Sequence, residues 1–337
     1  MVDRLGRTID YMRISVTDRC NFRCRYCMPP GGAPCVRTGD APLEYGEILQ
    51  IVRVALELGI CHFRVTGGEP FVRPGLTGFL REIKELPGVE TLSVTTNGSL
   101  LEGRLEELRE IGIYSLNISL DTLDPDRFEW LTGKRELEQV LAAIRQAAEM
   151  GFPHLKINCV PLEGWNEDEL CGLAALAREY PLDVRFIELM PLGAGTGWRR
   201  VPQSRVEERL EEQYGPLLAE KEETQEGRGP AVYCRPAGFQ GKIGFISAIS
   251  HEFCESCSRI RLLSDGTLKP CLNGPGRVKL GEMIRRGAGT EELKEAMRAV
   301  IFEKPARHGF EEIKGIAAGE EWACGGEEGC FMSSIGG

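Results

Sequence analysis

Through the first two thirds of the chain, short runs rich in β-branched residues alternate with longer stretches whose apolar positions recur at helical spacing. That rhythm is the mark of repeated strand–helix units around a parallel sheet. Tyr11–Val16, His62–Thr66, Thr91–Thr95, Tyr114–Ser119, His154–Val160 and Leu182–Leu189 are predicted strands. Between the first two, Ile48, Ile51, Val52, Ala55 and Leu56 hold one helix face until Gly59, which suits a C-cap. Such units could build a doubly wound sheet or an open barrel. Polar or glycine residues follow nearly every strand, as Thr17-Asp-Arg-Cys20, Thr66-Gly-Gly-Glu-Pro70, Thr95-Thr-Asn-Gly98 and Ser119-Leu-Asp121. One rim therefore carries them all, as in βα barrels, whereas a single-crevice sheet would use fewer strand ends. The predicted fold is α/β: a partial (βα)6 TIM-like barrel with a smaller C-terminal domain.

Past about residue 200 the rhythm changes. A helix is predicted near Val206–Gln213, then a polar, mobile loop over Glu220–Gly229 and a glycine- and proline-rich passage. Arg259–Leu263 and Thr267–Cys271 read as a hairpin across Ser264-Asp265-Gly266, where Asp-Gly supplies positive φ. A helix near Leu293–Phe302 and a glycine-rich tail follow. The expected division is residues 1–200 for the barrel and 201–337 for the second domain.

Composition narrows the function. A length of 337 residues at 42% hydrophobic content buries a large core without help from a partner. A net charge of −10 disfavours a nucleic-acid groove or an anionic membrane surface, and leaves room for a small anionic substrate held by a local arginine cluster. No apolar leader and no long apolar run is visible, so a cytoplasmic protein is expected. Thirteen cysteines in a reducing compartment then point to metal ligation or thiol chemistry rather than disulfides. Six fall into two patterned groups. Cys61, Cys159 and Cys171 read as small buried apolar residues, while Cys35, Cys234, Cys324 and Cys330 stand singly without an assigned task.

Cys20, Cys24 and Cys27 place three thiolates in one loop after the first strand, enough to hold three irons of a four-iron cluster and leave the fourth open. A structural zinc site would want a fourth ligand nearby, and no histidine lies within about thirty residues of Cys27. Cys254, Cys257 and Cys271 form a second incomplete trio, its last member on the return strand of the hairpin. A zinc knuckle recruiting His251 is the alternative there. Arg259 and Arg261 set two guanidiniums beside that trio, where a phosphorylated ligand could meet the metal. Arg13, Arg64, Thr95, Ser119 and Lys156 fall in or at the ends of predicted strands. A cation pointing into a barrel is otherwise costly.

The first trio, with Thr66-Gly-Gly-Glu-Pro70 and Tyr26 between the ligands, resembles the radical S-adenosylmethionine superfamily. The second trio, Arg259-Ile-Arg261 and the terminal Gly336-Gly337 make the resemblance narrower and extend it over nearly the whole chain: the sequence resembles the GTP 3′,8-cyclase family of molybdenum cofactor biosynthesis. The resemblance implies a carbon–carbon bond-forming lyase with two [4Fe-4S] clusters and S-adenosylmethionine. The 5′-deoxyadenosyl radical would take hydrogen from C3′ of GTP, and the ribose radical would add to C8. It further implies that Tyr26, Gly68, Ser119 and Met190 contact S-adenosylmethionine, that Arg13, Arg64, Thr95, Lys156, Arg259, Ile260 and Arg261 contact GTP, and that Arg259, Arg261, Gly336 and Gly337 serve catalysis. Expected partners are GTP, an electron donor and a downstream cyclic pyranopterin monophosphate synthase, for a monomer or homodimer that binds neither nucleic acid nor membrane. A radical enzyme that modifies a peptide and a redox- or iron-sensing protein are the competing readings.

Overall fold

The computed structural model describes residues 1–28, 42–219 and 229–310, so Cys35, Cys324, Cys330, Gly336, Gly337 and most of the polar Glu220–Gly229 stretch lie outside the described residues. Strand and helix alternate as β1 (Tyr11–Ser15), α1 (Tyr45–Glu57), β2 (His62–Thr66), α2 (Leu76–Glu85), β3 (Thr91–Thr96), α3 (Leu105–Ile111), β4 (Ser115–Ser119), α4 (Pro125–Thr132), α5 (Leu137–Glu149), β5 (Leu155–Cys159), α6 (Leu170–Glu179) and β6 (Asp183–Ile187). Then come α7 (Gln203–Tyr214), β7 (Val232–Cys234), β8 (Ile243–Ile246), β9 (Arg259–Leu262), β10 (Thr267–Lys269), β11 (Val278–Lys279), α8 (Leu280–Arg285) and α9 (Thr290–Phe302). Gly59 closes α1 at φ +80°, donating its N–H to Leu56 O. Gly266 turns the β9–β10 hairpin at φ +86°.

The described strands form one open sheet in the order β11-β10-β9-β1-β2-β3-β4-β5-β6-β8-β7. β1 to β6 run parallel in sequence order, the half-barrel arrangement. The later strands extend both edges of that sheet. β8 pairs parallel with β6, and β9 pairs parallel with β1. Antiparallel strands then finish each side. This placement answers a physical need, because a bare edge strand presents a row of unpaired backbone groups.

Period-two alternation sorts the side chains. Met12, Ile14, Phe63, Val65, Leu92, Val94, Leu116, Ile118, Ile157, Val184 and Ile260 are 0% exposed and belong to the core. Each fully buried side chain of this kind contributes about 1.5–3 kcal/mol. The residues between them, including Arg13, Arg64, Ser93, Thr95, Asn117, Lys156, Arg185 and Arg261, are polar and face the concave side.

Candidate active site

At the C-terminal ends of the strands, three βα loops are laced together around the first cysteine trio. After β1 the chain runs through Thr17 and Arg19 into Cys20, and the loop after β2 docks on it: Gly68 N donates to Thr17 O and Glu69 N to Arg19 O, both at 2.8 Å. A Cβ on Gly67 would come within 2.5 Å of Thr17 O, and one on Gly68 within 2.4 Å of Arg19 O. The glycines thus let two backbones touch. Glu69 is wholly buried and accepts from Phe71 N, Thr96 Oγ1 and Asn97 N. Burial drives its carboxyl up to about 7 against those bonds. Asn97 passes the restraint on, donating to Asn21 Oδ1 at 2.9 Å and reaching Cys20 Sγ at 3.9 Å.

Cys20, Cys24 and Cys27 are free thiols on this frame. Burial, helped by Glu69, pushes Cys20 up to about 11. Cys24 is pushed well above a thiol's usual range by burial and by the neighbouring Cys27 and Cys20. Cys20 and Cys24, whose thiols resist ionising, share one loop with Cys27, and such sulfurs suit a cation that would share their negative charge, so the donor set fits an iron–sulfur cluster. Tyr26 donates its hydroxyl to Asp121 Oδ2 at 2.7 Å, and Asp121 also accepts from Val160 N. That bond anchors Tyr26 to the end of β4; burial lifts Asp121 to about 6.

Below the rim the concave face is a band of cations. In register across the sheet, Arg261 lies beside Arg13 and Arg13 beside Arg64, while Arg259 lies beside Tyr11. Arg64 donates to Tyr11 Oη at 2.6 Å and to Thr95 Oγ1 at 3.3 Å. Burial and then Arg261 and Arg64 press Arg13 well below its ordinary value, and burial and Arg259 bring Arg261 to about 10. Lys156 falls to about 7 through burial and Arg185. Cations crowded this way in a low-dielectric face are poised for an anion.

The second trio occupies the opposite end. Because β9 runs parallel to β1, Cys257 precedes Arg259 at the entrance to the strand, while Cys271 follows β10, which returns antiparallel. Burial would raise the Cys257 thiol, but Arg259 and Lys304 hold it at about 6. Cys254 is raised by burial, with Cys271 and Cys257 among the causes. Lys304, 2% exposed, donates to Arg259 O and Pro270 O and pins the two strands beside the sulfurs. The histidine beside this trio is His308, whose ligand atom lies within 4.8 Å of those of Cys254 and Glu252; His251, the one considered from sequence, is exposed.

Among the remaining expected residues, Ser119 ends β4 opposite Asn158, and Met190 packs with Leu192 and Phe310 just past β6. Ile260 turns the other way: its side chain is 0% exposed in the core, which leaves its backbone alone for any substrate contact. Arg185 was missed. It is buried, donating to Asn158 on the adjacent strand β5 and to Asn117 on β4 beyond it, and its signal was a lone arginine inside the predicted strand Leu182–Leu189. Lys304 and Tyr233, whose ring lies 6.0 Å from Lys156 Nζ, carried no motif at all.

Residues 14–177 match the Radical SAM superfamily, and residues 182–310 match the family described as Molybdenum Cofactor Synthesis C. The GTP 3′,8-cyclase of Clostridium perfringens (strain 13 / Type A) is 43% identical over 310 residues, 92% of this chain and 95% of that protein. The chain belongs to the GTP 3′,8-cyclase family. A second member, from Syntrophomonas wolfei, is 41% identical over 311 residues, covering 91% of this chain and 94% of its own. Molybdenum cofactor biosynthesis protein 1 of Bos taurus is 39% identical across 91% of this chain, which spans 48% of that longer protein. In three dimensions, Streptococcus suis SuiB bound to precursor peptide SuiA aligns at a TM-score of 0.61 over 92% of this chain and 67% of its own, at 15% identity. That likeness concerns the fold alone. Within the GTP 3′,8-cyclase family, the Radical SAM part brings S-adenosylmethionine and an iron–sulfur cluster as cofactors. No helix among the described residues is long and apolar enough to cross a membrane.

Proposed function

We propose that this chain converts GTP to (8S)-3′,8-cyclo-7,8-dihydroguanosine 5′-triphosphate, an early step of molybdenum cofactor biosynthesis. The observation that carries the reading is the pairing of β9 on β1, which lines Arg259 and Arg261 up with Tyr11 and Arg13 between the two cysteine trios. The first trio would hold the [4Fe-4S] cluster that binds S-adenosylmethionine, and Cys254, Cys257 and Cys271 a second. When bound, these groups supply a primary carbon radical at one end of the concave face and a Lewis-acidic open iron at the other.

The chain's own residues bind and orient. Arg13, Arg64, Arg259, Arg261 and Lys156 offer scattered cations for the triphosphate, in keeping with a reaction that leaves the phosphates intact. Thr95, bonded to Arg64, fixes the direction of one guanidinium. Tyr26, Gly68, Ser119 and Met190 would meet S-adenosylmethionine at the rim. Electrons come from a donor protein or reductant, and the product is a substrate for the next enzyme, a cyclic pyranopterin monophosphate synthase.

The test is anaerobic reconstitution followed by incubation with S-adenosylmethionine, a strong reductant and each nucleotide in turn. The expected result is about eight irons per chain, as two four-iron clusters require, and 5′-deoxyadenosine release that depends on GTP. About four irons, or equal release without GTP, would overturn the reading.

A further inference from the structure

Two strands along from β9 and its cysteine trio, the bases of β2 and β3 bring together Cys61, His62 and Glu90, whose ligand atoms lie within 4.8 Å of one another. The grouping mixes a thiol, an imidazole and a carboxylate. It is held by backbone rather than by chance rotamers: Cys61 and His62 both donate N–H to Asp10 O at 3.1 Å, and Glu90 N donates to Cys61 O at 2.9 Å. His62 is 6% exposed. Its Nδ1 is engaged with Thr91 Oγ1 at 2.9 Å, which fixes the ring and leaves Nε2 for another task. Nε2 is buried, has no hydrogen-bond partner among the described residues, and faces Glu90 Oε2 at 3.4 Å.

We propose that Cys61, His62 and Glu90 form a binding site for a zinc-class divalent cation at the base of the sheet, separate from the six cluster cysteines. The donor set decides the ion. One sulfur, one nitrogen and one oxygen suit a borderline cation such as zinc and are wrong for calcium or magnesium, which take oxygen ligands. A hydroxyl holding the second ring nitrogen is the outer-shell support that metal-binding histidines use. Without an ion the Cys61 thiol hydrogen-bonds to Glu90, and a bound cation would take the place of that thiol proton between sulfur and carboxylate. Glu90 is 62% exposed at its side chain and opens the site to solvent, so an ion can enter and water can fill a fourth position.

The experiment uses protein with its iron–sulfur clusters assembled anaerobically, so that the patterned cysteines are occupied. It is dialysed against buffered Zn2+, and zinc and iron are counted together. One zinc per chain is expected beyond the iron, with an X-ray absorption shell of one sulfur at about 2.3 Å and lighter atoms at about 2.0–2.1 Å. Cys61→Ser and Glu90→Gln should each weaken zinc binding by at least about tenfold, the loss that even outer-shell changes cause, with iron content unchanged. Added zinc should raise the melting temperature of the parent protein and not that of either variant. Zinc uptake indifferent to both substitutions, no zinc–sulfur shell, or no zinc retained would each overturn the proposal. Glu90→Gln, on an exposed side chain, keeps the test decisive if Cys61→Ser folds poorly.

Discussion

Lys156 shows how much a single position on the concave face is asked to do. It is 7% exposed, and burial together with Arg185 brings it to about 7. In the protein without nucleotide it is therefore about half neutral at neutral pH, and a polyphosphate beside it would restore the charge. The sign follows from linkage: binding takes up a proton, so raising the pH above about 7 weakens GTP binding, and lowering it towards 7 restores affinity. Without ligand the same shift acts against folding on the acid side. An unfolded lysine holds its proton up to about 10, so stability is lost as the pH falls from about 10 towards 7. Calorimetry at pH 8 in buffers of different ionisation heat should show proton uptake, and affinity should drop roughly tenfold or more between pH 7 and 9. Lys156→Met should abolish both effects, and a flat profile in the parent protein would remove Lys156 from the phosphate contacts. Lys156 could be picked out in the sequence because a lysine within an apolar strand is anomalous. Arg185 is the same anomaly, yet its partners Asn117 and Asn158 lie on other strands, and no local pattern names them.

Single elements were legible in the sequence, and their lacing was not. Predicted and observed strands agree closely from β1 to β6 because alternation and β-branching are local signals. The Thr66-Gly-Gly-Glu-Pro70 loop reads as a ligand-approach loop, yet Gly67 and Gly68 face the backbone of Thr17–Arg19, a contact across loops far apart in sequence. A concrete consequence follows for Gly68→Ala. Its new Cβ would meet Arg19 O at 2.4 Å, a backbone atom that cannot rotate aside, so the two loops must separate. Overpacking of this kind costs about 1–3 kcal/mol. The strain falls next to Cys20, so the variant should keep its circular-dichroism spectrum while losing most of the iron of the first site, read by iron analysis and the cluster's absorption. Full iron occupancy in Gly68→Ala would show that the loop contact does not position Cys20.

At the scale of the whole molecule, the strands beyond residue 200 complete the sheet that the first six begin. The sequence marks β9 and β10 as a hairpin through Asp265-Gly266, but β9's second partner, β1, lies some 250 positions away, and no periodicity encodes a pairing at that range. The ends are bound in other ways too. Arg7, paired with Asp3, donates to Cys254 O, Lys304 O and Pro305 O, and α9 buries Leu293, Met297 and Ile301 completely. Cutting the chain at residue 200 would strip β9 from β1 and β8 from β6, leaving two open parallel edges and a bared apolar face. A 1–200 fragment made alone should therefore aggregate or melt without a cooperative transition, while the full chain without clusters gives a cooperative one by calorimetry. Cluster loading cannot rescue the fragment on this account, since the loop that carries Cys20, Cys24 and Cys27 leaves β1, one of the two strands whose edges would be exposed. A soluble fragment that melts cooperatively and holds about four irons would show that β1 to β6 stand alone and that the later strands serve the substrate only.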